Sequence, residues 1–347
     1  MPAKTIPVDQ AVGMVLPHDI TEIRGAGEDG QGFKGPAFRK GHIIRPEDVE
    51  HLRRLGKEHI YILTLADGEI HENEAARLMA DAMTGPGVVC SGRPTEGKIS
   101  LLAEYDGLLK VNSEALYRFN LLGEVMCATL HDNTPVSKGE QVAATRLIPL
   151  ISERRLVERA ATIAREAGGL FAVKQLKQAR AGLVITGNEV YYGRIKDCFE
   201  PVLRDKLAKL GSKVARVSFA PDDVEQIAAE ITASITAGAD LIITSGGMSV
   251  DPDDVTRGGI MRAGATDICY GSPVLPGAMF LSGRIGEVVV LGLPACGMFH
   301  RITVFDLILP RVLCGEKITR EELAKLGHGG LCRVCKECRY PVCGFGK

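Results

Sequence analysis

The residues best suited to chemistry lie in Thr244-Ser245-Gly246-Gly247-Met248-Ser249-Val250-Asp251-Pro252-Asp253-Asp254-Val255-Thr256, directly after the apolar run Ala239-Asp240-Leu241-Ile242-Ile243. A β-branched run that breaks into paired glycines, hydroxyls and then a carboxylate cluster opening a helix is one way an open α/β sheet builds an anion site. Glycines bare the backbone amides, so phosphate, pterin or nucleotide is the expected kind of ligand. An ordinary strand–turn–helix, in which Gly246 and Gly247 only supply positive φ and Asp253 is a cap, accounts for the same pattern.

Three more segments place polar residues directly after apolar runs. Thr186-Gly187-Asn188-Glu189 follows Leu183-Val184-Ile185, Pro221-Asp222-Asp223 comes after Val214-Ala215-Arg216-Val217-Ser218, and Leu293-Pro294-Ala295-Cys296-Gly297 follows Val288-Val289-Val290-Leu291. Ligands of open parallel sheets bind outside the carboxyl ends of the strands, where the chain order reverses, so the four segments should converge. Thr186, Ser245 and Ser249 would offer hydroxyls to a phosphate, and Gly187, Gly246 and Gly247 their amides. Glu189, Asp222 and Asp254 would repel that anion unless a cation intervened, and magnesium takes oxygen ligands from carboxylates and phosphates together. Each acid alone also reads as a cap or a solvated loop.

The elements that must hold these residues follow from periodicity. The near-continuous apolar runs are those of parallel strands covered on both faces, and helices are expected over 197–210, 224–237, 253–263 and 298–313. The fold class expected is α/β: a doubly wound, mostly parallel sheet over 178–320, preceded by a β-rich α+β region and followed by a small Cys-rich tail. Residues 70–177 read as short strands over 99–102, 107–111, 124–130 and from 136 to 150, with helices over 70–83 and 152–167. Residues 1–69 carry a helix from Arg45-Pro46-Glu47-Asp48 to Leu55 and a strand at Tyr61-Ile62-Leu63.

In 347 residues, 45% hydrophobic and 24% charged, 42 basic residues against 43 acidic ones leave a net charge of −1. Nothing global therefore favours nucleic acid or an anionic membrane, and an anion site must be local. The first nine residues lack the apolar core of a signal peptide, and no apolar run approaches the roughly 20 residues of a membrane span. The expected location is cytoplasmic, where the ten cysteines should be reduced. Cys90, Cys127, Cys198, Cys269 and Cys314 read as buried inert thiols, while Cys296 falls on a strand-end loop and could face a ligand. Cys332, Cys335, Cys338 and Cys343, within 328–347, have the spacing to fill a tetrahedral thiolate site. Zinc and an iron–sulfur cluster both fit it, because the Cys-x2-Cys-x2-Cys run is ferredoxin-like but Pro341 precedes the fourth cysteine.

Thr186-Gly187-x-Glu189, Gly193-x-Ile195 with Asp197, Asp222 ahead of a helix, Gly246-Gly247-x-Ser249 with Asp254, Pro276-Gly277 and Gly292-Leu293-Pro294 occur in an order and spacing that, over about 178–314, resembles one known domain. It is the molybdopterin-binding domain shared by molybdopterin adenylyltransferases and molybdopterin molybdotransferases, including the last domain of gephyrin. Residues 9–16 and 38–61 resemble the amino-terminal part of the molybdotransferases. The resemblance implies a site for molybdopterin or its adenylylated form, with nucleotide transfer or molybdate insertion as the reaction and a homodimer as the assembly. It implies magnesium or phosphate handling by Asp222 and Asp254, a second acid at Glu189 near the nucleotide, and a phosphate cradle at Gly246, Gly247 and Ser249, with Pro294 on the last loop.

The chain departs from that pattern in places. Leu275-Pro276-Gly277-Ala278-Met279 lacks the basic residues usual around Pro-Gly, Leu293-Pro294-Ala295-Cys296-Gly297 replaces Leu-Pro-Gly-Asn-Pro, Asp251 replaces a glycine, and Phe199 stands where asparagine is common. Retained acids favour a molybdotransferase-like enzyme. Lost cations favour a molybdopterin carrier or insertion chaperone whose metal tail docks a molybdoenzyme partner or senses redox state. A hydrolase of nucleotide-like substrates on the same domain, as in the competence-damage-inducible family, is a third reading.

Overall fold

Alternate residues of each central strand face opposite layers of hydrophobic core, which is why these strands read as unbroken apolar runs rather than as alternating ones. The computed structural model describes residues 4–24, 33–62, 65–95, 97–248 and 255–347. The chain divides into two units: residues 1–102 with 112–129 and 141–171, and residues 103–111 with 130–140 and 172–347.

In the first unit, Lys4–Pro7 pairs antiparallel with His59–Ile62, and Ile20–Arg24 with Phe33–Phe38. Ile6, Val8, Leu16, Phe38, Ile44, Leu52 and Ile60 form their shared core, and helix Pro46–Arg54 supplies Leu52 to it. Pro46 opens that helix, where its missing N–H costs no hydrogen bond. Further on, helices Glu72–Met83 and Arg154–Glu166 bury Ala75, Ala76, Ala80, Ala160, Ala161 and Ala164, small side chains that let helices approach closely. They accompany a sheet ordered Val88–Cys90, Lys98–Ala103, Gln141–Leu147, Val125–Thr129. The helix expected from residue 70 starts at Glu72, because Glu69–His71 pairs with Ile151–Glu153 and His71 Nδ1 caps the helix by accepting from Asn73 N at 3.1 Å. Helix Ser113–Asn120 was not expected; Asn112 caps it through Ala115 N at 3.0 Å.

The second unit is built on a six-stranded sheet of β1 (Arg180–Thr186), β2 (Lys213–Ala220), β3 (Leu241–Ser245), β4 (Thr266–Tyr270), β5 (Leu281–Ile285) and β6 (Val288–Leu293). Their order is β2-β1-β3-β6-β5-β4. β1, β2, β3 and β6 run parallel, and β5 is antiparallel to both of its neighbours, β6 and β4. This is the doubly wound, mostly parallel α/β fold expected, with β4 and β5 as an extension that the sequence pattern did not announce. The helices are α1 (Phe199–Lys209), α2 (Val224–Thr236), α3 (Thr256–Arg262), α4 (Val304–Leu313) and α5 (Arg320–Lys325). Leu183, Ile185, Ile243 and Leu291 meet Phe199 and Leu203 of α1 and Phe305 and Ile308 of α4 on one face. Val184, Ile242 and Val290 meet Ile227 and Ile231 of α2 and Ile260 of α3 on the other. Each such side chain, fully buried, contributes about 2 kcal/mol.

The single helix expected over 298–313 is two. A short turn, Cys296–Phe299, ends at His300, and α4 starts afresh because Thr303 and Asp306 form a capping box, with Thr303 N donating to Asp306 Oδ2 at 2.7 Å. α3 begins at Thr256; its expected start at Asp253 lies outside the described residues. Gly107–Val111 pairs antiparallel with Pro135–Val136 and adjoins Phe171–Lys174 in a small sheet of its own. Among the described residues no helix is long and apolar enough to cross a membrane.

Candidate ligand site at the strand ends

The chain order reverses between β1 and β3, since β2 lies on one side of β1 and β3 on the other. Because β2, β1, β3 and β6 are parallel neighbours, Ala220, Thr186, Ser245 and Leu293 end at one edge, and the segments that follow them emerge together. Short bonds tie that edge. Thr186 Oγ1 donates to the Ser245 carbonyl at 2.8 Å and stands 2.7 Å from Thr256 Oγ1. Its one proton is used on Ser245, so Thr256 donates to Thr186. Asn188 N donates to Asp222 Oδ2 at 2.9 Å, and Asp222 N donates back to Asn188 Oδ1 at 3.2 Å, which fixes the loop after β1 to the loop after β2.

The glycines do their work by closeness. Gly246 has φ +85°, and a Cβ there would stand 2.6 Å from the Thr186 carbonyl oxygen; Gly247, at φ +54°, would press on Thr256 Oγ1 at 2.4 Å. Both therefore need glycine. Their amides depart from expectation. Gly187 N donates to Ala220 O at 3.2 Å and Gly246 N to Leu293 O at 3.3 Å, which engages both within the protein, so as phosphate donors these two amides are already spent on extending the parallel ladder by one residue.

Glu189 is exposed, its carboxylate within 2.8 Å of where a Gly187 Cβ would be. Asp222 is half-buried, and so is Pro294, which opens the loop after β6 by accepting from Gly297 N at 3.0 Å. Ser249 and Asp254 lie outside the described residues. Ser245 is fully buried, and its hydroxyl, like that of Thr244, has no hydrogen-bond partner among the described residues. An orphaned hydroxyl at a strand end is a polar group awaiting a water or a ligand. Cys296 sits half-buried on the last loop, where burial pushes its thiol up despite a backbone hydrogen bond that favours the thiolate. It is a poor nucleophile at neutral pH.

Asn188, Thr256, Arg257 and Tyr270 were not singled out from sequence. Tyr270 donates its hydroxyl to Met248 O at 2.6 Å, and the Arg257 guanidinium lies 4.9 Å above its ring. Arg257 thus brings a cation close behind the glycine loop of a chain whose Pro276-Gly277 segment has none. The signal was its position just after Asp254-Val255-Thr256.

The cysteine tail belongs to this same unit. Leu275 N donates to Gly330 O and Cys332 N to Leu275 O, both at 2.8 Å, and Gly346 N donates to Gly329 O at 2.9 Å. Phe345 is 5% exposed within the core that holds α4. Cys332, Cys335, Cys338 and Cys343 all line one cavity of about 540 Å³ together with residues 299–302. As they stand, no three histidine, cysteine or acidic side chains among the described residues are gathered around one point.

A family described as a domain of unknown function matches residues 5–64, and one described as a probable molybdopterin binding domain matches residues 182–313. A CinA-like protein of Mycobacterium leprae is 44% identical over 78 residues, 22% of this chain and 18% of that protein. A CinA-like protein of Mycolicibacterium vanbaalenii is 39% identical over 111 residues, 32% of this chain and 25% of that protein. The chain thus covers a quarter or less of the length of these relatives. A molybdopterin biosynthesis MoeA protein of Pyrococcus horikosii is similar at 17% identity and TM-score 0.34, covering 71% of this chain and 79% of that one. The strand-end edge built by β1, β2, β3 and β6 lies within residues 182–313, the stretch that matches the probable molybdopterin binding domain.

Proposed function

We propose that the edge formed by Thr186, Asp222, Ser245 and Pro294 binds molybdopterin or its adenylylated form, and that the chain acts on it as a molybdotransferase-like enzyme of molybdenum cofactor biosynthesis. The observation that carries this reading is the cross-linking of three strand ends, β1 to β3 through Thr186 and Ser245 and β1 to β2 through Asn188 and Asp222, at the reversal of strand order within the matched domain. Arg257, held over the Tyr270 ring beside the glycine loop, is a group a phosphate would engage.

Magnesium belongs to this proposal, held by Asp222 and Asp254. It keeps most of its waters and needs only one or two carboxylates beside a ligand phosphate, so Asp222 with Asp254 suffices and a cage of three protein acids is not required. When bound it would neutralise phosphate charge. Asp222 would be oriented for this by Asn188, and Glu189 would stand at the nucleotide end. A homodimer, molybdate as co-substrate and a client molybdoenzyme belong to the same proposal.

The test incubates purified protein with adenylylated molybdopterin, magnesium and molybdate, and follows release of AMP. Molybdate-dependent release supports transfer, and Asp254→Ala should abolish it while leaving the unfolding transition unchanged. Ligand bound and recovered intact would replace the enzyme with the carrier. Release that ignores molybdate would favour the nucleotide-hydrolase reading, for which the identity to CinA-like proteins speaks. Absence of any pterin binding would remove both the enzyme and the carrier.

A further inference from the structure

We propose that Cys332, Cys335, Cys338 and Cys343 hold a soft-metal centre, a single zinc ion or an iron–sulfur cluster, in the cavity they share with residues 299–302. Four thiols within twelve residues of sequence line one space of about 540 Å³, although they come from a turn that contains no strand or helix. A cysteine pattern kept for packing would bury its sulfurs. Cys335 and Cys338 are instead exposed, while Cys332 and Cys343 are half-buried against the core that holds α4.

The scaffold is anchored at both ends by contacts of the protein itself. Leu275 holds Gly330 and Cys332, Gly329 holds Gly346, Phe345 is sunk in the core, and Lys347 Nζ reaches Thr134 Oγ1 at 3.3 Å. The thiol-bearing turn therefore starts partly ordered, which lowers the entropic cost of closing it on a metal. Charge agrees as well. Four thiolates around Zn2+ or a cluster carry net negative charge, and Arg301, Arg333, Lys336 and Arg339 line the same cavity. Thiolate donors select zinc or iron–sulfur over the hard magnesium proposed at the strand ends, so the two sites do not compete for one metal.

The test uses the full chain purified without oxygen, with metals and acid-labile sulfide measured per chain. One zinc per chain, replaceable by cobalt with thiolate-to-cobalt absorption, supports a mononuclear centre. Iron with matching sulfide and a visible charge-transfer band supports a cluster. Cys335→Ser with Cys338→Ser, both exposed and so tolerated by the fold, should lose at least nine-tenths of the metal, whereas Cys198→Ser keeps it. Protein that takes up neither zinc nor iron and sulfide after reduction, with all four tail thiols alkylating freely, would overturn the proposal. Neither readout depends on pterin, so the strand-end proposal stands or falls separately.

Discussion

Thr186 Oγ1 donates to the carbonyl oxygen of Ser245 at 2.8 Å, joining the last residues of two strands that are 59 positions apart. The bond sits at the reversal of strand order, and both residues are buried, at 2% and 0% exposure. It is a structural clamp as well as part of the proposed site.

Thr186→Val keeps the shape and removes the hydroxyl, leaving the Ser245 carbonyl and the Thr256 hydroxyl without their partner. Such a buried loss costs about 1–3 kcal/mol. Urea unfolding should show it as a lower midpoint with unchanged slope, and an unaltered midpoint would mean that the clamp does not hold the edge.

Gly246→Ala combines a φ of +85° with a Cβ 2.6 Å from a carbonyl oxygen. Backbone strain alone is worth about 1–3 kcal/mol, and the collision must also spread the loops after β1 and β3. Thermal denaturation should fall by several degrees, and pterin affinity by at least tenfold. Gly264→Ala, also at positive φ but with nothing within 4 Å, should lose stability and spare affinity.

Acid should weaken the second unit through Glu316. Burial pushes its carboxyl up, but Lys110 and Arg311 outweigh that and hold it below the usual range. Arg311 Nε donates to Glu316 Oε2 at 2.9 Å, and Arg311 is only 5% exposed. A lowered folded pKa gives stability that is full above the unfolded value of about 4.3 and is lost as pH falls through the lower folded value. Glu316→Gln should cost about 2 kcal/mol at pH 7 and lose less on acidification than the wild type. Parallel pH–stability curves for the two proteins would contradict this.

Thiol reactivity should sort by burial. Burial pushes Cys127 up to about 12, while burial and the Asp81 carboxylate push Cys90 up to about 11. Cys314 rises to about 11 through burial and Glu316, whereas Cys198 is exposed. Iodoacetamide at pH 7.5, read by peptide mass spectrometry, should label Cys198 well before these three. Early labelling of Cys127 would contradict its burial. Of the five scattered cysteines read as buried, only Cys127 is; Cys90, Cys269 and Cys314 are half-buried and Cys198 is exposed.

The sequence by itself determined the α/β class and the polar segment at the end of each parallel strand. Strands covered on both faces are mostly apolar, so the clusters of glycine, hydroxyl and acid gather where the strand stops. It also determined the four-thiol spacing. Only the tertiary structure decided that β5 and β4 extend the sheet, because β4 is partly exposed and β5 interrupts its apolar residues with Ser282, Gly283 and Arg284, so neither carries an unbroken apolar run. It decided as well that Gly187 and Gly246 spend their amides on Ala220 and Leu293, and that Asn188 and Thr256 support the site. Those are pairings between segments dozens of residues apart, and local composition carries no record of which distant carbonyl a given amide will meet.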